Sequence, residues 1–328
     1  MARADRRVLH VLPHAGGGGD TYADMLDGMP GYTFERVHLA PARKPGPLTV
    51  ARGVGTLGRK LRGRDLVHVH GEVTAGLLLP LLAARPSVVT LHGLHFLRRT
   101  NGAMRGVAEA NLRAVVRVAG RTICVSVAEH DVLASVVDSP KTVVVHNGVR
   151  AGQSRPATLH LPRPVGIWVG SLDERRDPIA VVRAAERTAT SLVIVGDGAL
   201  RDDVEQAASN CVRVLGQQED VQSLLAAADF FVLMSQREGL SFALLEAMAH
   251  GLPAIVADIP ENREAIGDSG IAVPYGDTDA VAAAMERLRD DKERSRLAAR
   301  ARRRIEQRFS ATQMIARTRA VYDAVLAE

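Results

Sequence analysis

Short apolar runs alternate with longer amphipathic stretches along the whole chain. Residues 8–12, 66–70, 87–91, 122–125 and 142–145 form one series of runs, and 165–170, 191–195, 212–215, 230–234 and 254–256 form another. Runs of this length, apolar on both faces and separated by helical periodicity, predict parallel sheets built from strand–helix–strand units. Between the two series, residues 150–164 carry Gly152, Ser154 and three prolines without any clear period, which reads as an interdomain linker. The expected fold class is therefore α/β, with two doubly wound domains, 1–150 and 151–311, and a cleft between them. Ligands of such sheets bind beyond the carboxyl ends of the strands, which would turn both domains' sites toward that cleft.

Composition narrows the class. A chain of 328 residues is long enough for two cores, and 46% hydrophobic content fits a soluble globular protein. No apolar run approaches the roughly 20 residues of a spanning helix; the stretch 75–82 is short and contains Pro80. Residues 1–7 lead straight into a strand without the apolar region of a signal peptide, so a cytoplasmic location is expected. Cys124 and Cys211 are too few and too far apart for a disulfide framework or a Cys-based zinc site. The net charge of +5 is unevenly placed, +9 over residues 1–150 and −4 over the rest. Arg59, Lys60, Arg62, Arg64, Arg98, Arg99, Arg113, Arg117 and Arg121 supply much of the excess. Such a half would attract an anionic acceptor or the anionic inner face of a membrane as a peripheral partner; a merely solvated arginine-rich surface is an equal alternative. Only eleven residues are aromatic and no base-stacking module is visible, so nucleic acid is not an expected partner.

The densest signal runs from Arg237 to Pro253. It follows the apolar run 230–234, Gly239 offers a sharp exit, Ser241 is an N-cap candidate, and Gly251 with Pro253 ends the helix. Glu238 then lies on a strand-to-helix loop and Glu246 on the helix. Helical side chains lean toward the N-terminus, so both carboxylates can face one site, where free amides and the helix dipole favour an anion. Elsewhere, Gly16–Gly19 follow the first strand and let backbone approach a ligand closely. Gly196-Asp197-Gly198 follows another strand, but Arg201 stands where a dinucleotide fingerprint needs a third glycine, so a turn is the better reading. His92 falls at a strand end near His68, His70 and His95, without metal-like local spacing. Asp277-Thr278-Asp279 resembles a metal-binding triplet, yet it directly precedes a helical stretch and reads as a cap. No essential metal and no cofactor are expected.

The segment with two glutamates separated by seven residues, followed by Ala247-Met248-Ala249-His250-Gly251-Leu252-Pro253, resembles the nucleotide-sugar motif of the retaining glycosyltransferases of family 4. So, in order, do Asp65-Leu66-Val67-His68-Val69-His70-Gly71, Val89-Thr90-Leu91-His92-Gly93, Val145-His146-Asn147-Gly148-Val149, Gly166-Ile167-Trp168-Val169-Gly170 and Leu192-Val193-Ile194-Val195-Gly196-Asp197-Gly198. The resemblance implies the GT-B fold, with a last helix at about 312–328 returning to the first domain. It implies a nucleoside-diphosphate sugar as donor, and an acceptor that is a small molecule, a glycan or a lipid-linked glycan. By the same likeness His92, Arg176 and Glu238 are the catalytic candidates. Gly17, Gly18, Ser171, Arg175, Gln218, Gly239, Leu240, Ser241, Phe242 and Glu246 are the donor-binding candidates. His92 and Glu238 would meet sugar hydroxyls, Glu246 the ribose, Arg176 a phosphate, and backbone at Gln218 the nucleobase. One departure stands out: the family has an Arg directly after Gly170, where this chain has Ser171, so that either Arg175 compensates, or turnover is slow, or the donor phosphate is held differently. Two other readings compete with a transferase: a GT-B nucleotide-sugar epimerase, and a non-catalytic sugar-nucleotide-binding protein.

Overall fold

The computed structural model describes residues 5–41 and 47–328. Residues 1–4, part of the stretch read as leaderless, and Arg43 and Lys44, part of the positive count, lie outside them. The chain divides into two compact units, one formed by Met1–Asn147 with Ala311–Glu328, the other by Gly148–Ser310.

The first unit holds a six-stranded parallel sheet of β1 (Arg6–Leu12), β2 (Tyr32–His38), β3 (Leu66–His70), β4 (Ser87–Thr90), β5 (Arg121–Cys124) and β6 (Thr142–Val144). Its order is β2-β1-β3-β4-β5-β6. The second unit holds β7 (Val165–Val169), β8 (Ser191–Val195), β9 (Val212–Gly216), β10 (Phe230–Leu233), β11 (Ala254–Ala257) and β12 (Gly270–Val273). Their order is β12-β11-β10-β7-β8-β9, a doubly wound arrangement whose direction of winding reverses between β7 and β10. Both sheets are flanked by helices, as alternating apolar and amphipathic stretches require. The sequence pattern passes over β2 and β12. Both are edge strands, half exposed along most of their length; Thr33, Glu35 and Arg36 keep β2 from reading as an apolar run, whereas β12, Gly270-Ile271-Ala272-Val273, is apolar and short.

Each unit has its own core. In the second, Trp168, Phe230, Val232, Ile194 and Met285 pack without exposure. In the first, Leu9, Val11, Val69, Val89, Leu112 and Val115 do so. Helix ends follow local chemistry: Ser126, Asp220 and Asp277 each cap the helix that follows by accepting a backbone N–H. For Asp277 the donor is Ala280 N at 2.9 Å, which agrees with the capping reading of the Asp-x-Asp triplet.

The turn after β8 packs directly on the turn after β7. Leu172 N donates to Asp197 O at 3.0 Å, and Gly196 adopts φ +136, where an added Cβ would overlap the carbonyl of Gly170. Gly196→Ala is therefore expected to lower stability by about 3 kcal/mol, from left-handed strain and steric conflict together. Thermal unfolding checks this, and an unchanged melting temperature would mean that the two turns can separate freely.

Candidate functional site

Loops leaving adjacent strands at a reversal of winding open a crevice beyond the carboxyl ends. In the second unit those loops follow β7 and β10, and they carry the candidate residues. A short 3-10 turn, Glu174–Arg176, presents two guanidiniums. Arg175 Nη1 donates to Arg237 O at 2.7 Å and approaches Glu238 Oε1 at 3.4 Å, and Arg176 Nη2 reaches the same oxygen at 3.4 Å. Gln236 N donates to Arg175 O at 2.8 Å, so the loops are stitched through backbone as well as side chains. Glu238 is only 7% exposed, a burial that a carboxylate tolerates when cations share it.

The surroundings are polar in a way the protein alone leaves unfinished. Arg176 Nε, Asp173 Oδ1 and Ser235 Oγ are buried and have no partner among the described residues. Buried polar atoms are normally hydrogen-bonded, so three of them on these two loops point to a polar ligand as the missing partner. Gly170 permits the arrangement, because an added Cβ there would overlap the Arg176 guanidinium. Four residues past Glu238 begins the helix Phe242–Ala249, with Ser241 Oγ accepting from Leu244 N at 3.4 Å. Its positive dipole end and first amides lie beside the loop, and Gly239 and Leu240 are buried in the approach. Ser171, partly exposed, directly follows Gly170.

Glu246 is the fifth residue of that helix. Burial pushes its carboxyl up to about 7, against a hydrogen bond from Gln222 that lowers it. Gln222, in the helix Val221–Ala227, faces His250 as well, with its Oε1 2.9 Å from His250 Nε2. Gln222 thus lies between His250 and Glu246, close enough to the carboxyl to oppose the effect of burial. Sequence reasoning missed Gln222, which no local motif marks, and used His250 only as a spacer inside a motif. Gln218 is exposed and turns its own amide back to Leu215 O at 2.9 Å, beyond Gly216 at φ +68.

In the first unit, Gly16 and Gly17 have positive φ, Gly18 opens the helix Gly18–Leu26, and all three are exposed. His92 follows β4 with φ +60. Its neighbours are His70, His68 and also His10, which the sequence reading did not single out; His95 is instead exposed. His10, His68 and His70 each bring a ring nitrogen within 4.8 Å of the others. Five of their six ring nitrogens have hydrogen-bond partners: His68 bonds Tyr322 and Thr90 at 2.6 and 2.7 Å, and His70 bonds His10 Nδ1 and His92 at 2.8 and 2.9 Å, while His10 Nε2 has none among the described residues. His68 and His70 also stack at 4.3 Å and 24°, so their in-plane lone pairs run alongside rather than converging on an ion.

Comparison with known proteins follows this division. The family model described as "Glycosyltransferase Family 4" matches residues 8–153, and "Glycosyl transferases group 1" matches 163–291. The chain belongs to the family 4 glycosyltransferases. This glycosyltransferase is 28% identical, over 79% of its length and 75% of the relative's, to an Escherichia coli UDP-Gal:alpha-D-GlcNAc-diphosphoundecaprenol alpha-1,3-galactosyltransferase. It is 35% identical to the Bacillus anthracis N-acetyl-alpha-D-glucosaminyl L-malate synthase over 41% of its length and 38% of the relative's. Its fold, GT-B, is shared with sucrose-phosphate synthase from Thermosynechococcus elongatus, at TM-score 0.82 and 18% identity over 98% of this chain and 99% of that one. Anabaena HepE in complex with UDP-glucose aligns at TM-score 0.79 and 17% identity over 97% and 99% of the two chains. Among the described residues, no helix of this glycosyltransferase is long and apolar enough to cross a membrane.

Proposed function

We propose that the chain is a retaining glycosyltransferase that moves a sugar from a nucleoside-diphosphate donor to an acceptor hydroxyl without a metal. The observation that carries this is the meeting of Arg175, Arg176 and Glu238 at the reversal of winding, beside a helix N-terminus and unpartnered buried polar atoms. Glycosyl transfer leaves a diphosphate anion and an oxocarbenium-like sugar, so positioning and charge stabilisation do most of the work. Arg176 and the amides at Phe242 hold the departing diphosphate, with Arg175 in place of the cation that Ser171 cannot supply. Glu238, one oxygen already between two guanidiniums, is suited to accept sugar hydroxyls rather than to attack carbon. Glu246 accepts the ribose hydroxyls, backbone at Gln218 meets the nucleobase, the Gly17–Gly18 backbone approaches the diphosphate, and His92 bonds a hydroxyl of the transferred sugar. The acceptor attacks from the leaving-group side, and a phosphate oxygen takes its proton.

The test is incubation with UDP-, GDP- and dTDP-sugars, first alone and then with polyprenyl-diphosphate glycans and small hydroxy acids. These acceptor classes occur in the names of the relatives. NMR should find a product with the donor's anomeric configuration. An inverted product would sink the retaining assignment, and donor consumption unaffected by any acceptor would favour an epimerase.

The positive first unit motivates a further expectation about its partner. Lys60 and Arg64 both bond Glu35, so they are partly neutralised, whereas Arg59 and Arg62 are exposed. If the acceptor is anionic, Arg59→Glu with Arg62→Glu should raise its KM severalfold at low salt and leave donor hydrolysis unchanged. The effect should fade as the screening length shrinks to about 8 Å at physiological ionic strength. Acceptor kinetics that ignore both salt and reversal would make the positive charge solubilising decoration.

A further inference from the structure

His92 does not stand alone. His70 Nδ1 lies 2.9 Å from His92 Nε2, and His70 Nε2 lies 2.8 Å from His10 Nδ1, so the three rings form one hydrogen-bonded row. Successive rings are nearly parallel, at 20° between His92 and His70 and 29° between His70 and His10, and with centroids 5.2 and 5.1 Å apart they lie edge to edge, as in-plane hydrogen bonds require. His10 and His70 are fully buried and His92 is partly exposed, so the row runs from the core to the surface. Burial pushes all three imidazoles far below their ordinary pKa, with His10 and His92 at about 3, so each ring is neutral and carries one proton.

Two bonds among three neutral imidazoles leave only two proton patterns, because each bond needs one donor and one acceptor. Either every ring carries its proton on Nδ1, or every ring carries it on Nε2. The inner end decides between them. His10 Nε2 is buried with no partner among the described residues. In the Nε2 pattern that end is an orphaned N–H; in the Nδ1 pattern it is a bare lone pair. Orphaned buried N–H groups are the rarer defect. Arg36, registered opposite His10 on β2, adds positive charge that also favours a lone pair there. The outer end is then fixed: His92 keeps Nε2 as an acceptor from His70 and presents N–H at Nδ1, which no described protein atom bonds.

The loop holding His92 is built to match. His92 and Leu94, neither a glycine, take φ +60 and +49, a conformation that persists only when its surroundings enforce it. Gly93 N donates to the buried carboxylate of Glu129, and Phe96 N donates to that of Glu72, clamping the loop on both sides of Leu94.

We propose that His70 and His10 are positioning residues which, without touching substrate, fix His92 as an Nδ1–H donor aimed at an oxygen of the transferred sugar. The donor role rests on the transferase reading above; the tautomer does not. Nitrogen-15 correlation NMR on the whole labelled protein should therefore show His92 in the Nδ1–H form, without substrate and across pH 6 to 8. An Nε2–H form, or exchange between the two, overturns the proposal whatever the enzyme's activity.

Kinetics supply the second arm. His70→Phe keeps an aromatic ring against His68 but removes both bonds of the row. It should lower kcat about 10-fold with donor KM changed less than twofold. In the double variant with His92→Phe, no further loss beyond His92→Phe alone is expected, because His70 acts only through His92. Independent, multiplying losses would refute it. Nδ1–H at His92 together with an inert His92→Phe would leave the relay standing and remove His92 from the transferase reading.

Discussion

Arg176→Ala is expected to reduce kcat about 100- to 1000-fold, the loss typical of deleting one preorganised group that stabilises developing charge. The cation matters because the diphosphate gains charge as the glycosidic bond breaks, in a crevice where solvent screens weakly. Folding should suffer little: Arg176 lies on a short turn, and Glu238 would keep Arg175 at 3.4 Å after its loss. Lysine should restore only part of the activity, since a point charge cannot reproduce a planar fork. Gly170→Ala should reproduce the defect from a distance, because its Cβ would displace the guanidinium. Steady-state kinetics paired with thermal unfolding decide the matter. If Arg176→Ala loses melting temperature in proportion to turnover, the residue is a structural strut.

Glu246→Ala should weaken binding of a nucleoside diphosphate by roughly 1.5–3 kcal/mol, the range for hydrogen bonds to a charged group. The same carboxyl predicts a pH dependence whose sign can be worked out. Burial raises it from 4.5 to about 7, so the folded protein holds the proton more tightly than the unfolded chain. That contribution therefore makes the ligand-free protein less stable as pH rises through the window. Ribose hydroxyls donate to the ionised form, so binding near pH 6 to 7 should release a proton, and affinity should rise with pH toward 8. Calorimetry in buffers of different ionisation heat measures the release. Glu246→Gln must abolish it, which separates this group from the titrating phosphate of the ligand. An equal proton count in both proteins would move the ribose contact elsewhere.

What the sequence disclosed, and what it withheld, follows chain distance. Glu238, Ser241 and Glu246 were readable because one turn and one helix place them, and spacing within a helix is a local property. The two sheets were readable because central parallel strands are apolar on both faces. Edge strand β2 escaped for the opposite reason, while β12 is a short apolar run that the pattern did not separate from its surroundings. The place of His10 in the row of histidines was invisible because it comes from the register of β1 with β3, where His10 stands opposite His68, 58 residues apart. His70 is reached only by skipping one residue along the same strand. Gln222 belongs to the same class: its contact with Glu246 comes from two helices laid side by side, not from any pattern in either. The resemblance supplied roles for residues but nothing about what holds them.

The last helix, Ala311–Ala327, sets an order of events during synthesis. It completes the first unit from the far end of the chain: Tyr322 hydroxyl meets His68 at 2.6 Å, Thr318 meets Tyr22 at 3.3 Å, and Asp323 accepts from the Tyr32 hydroxyl at 2.7 Å. Residues 148–310 emerge from the ribosome with every strand of their own sheet, and Val149 N closes onto Phe309 O at 2.8 Å, pinning their two ends together. The second unit can therefore mature while the first still waits, with His68 held by Thr90 but lacking Tyr322. A nascent chain ending at residue 310 and halted on an appended linker long enough to clear the exit tunnel should already resist protease across the second unit and remain cleavable in the first.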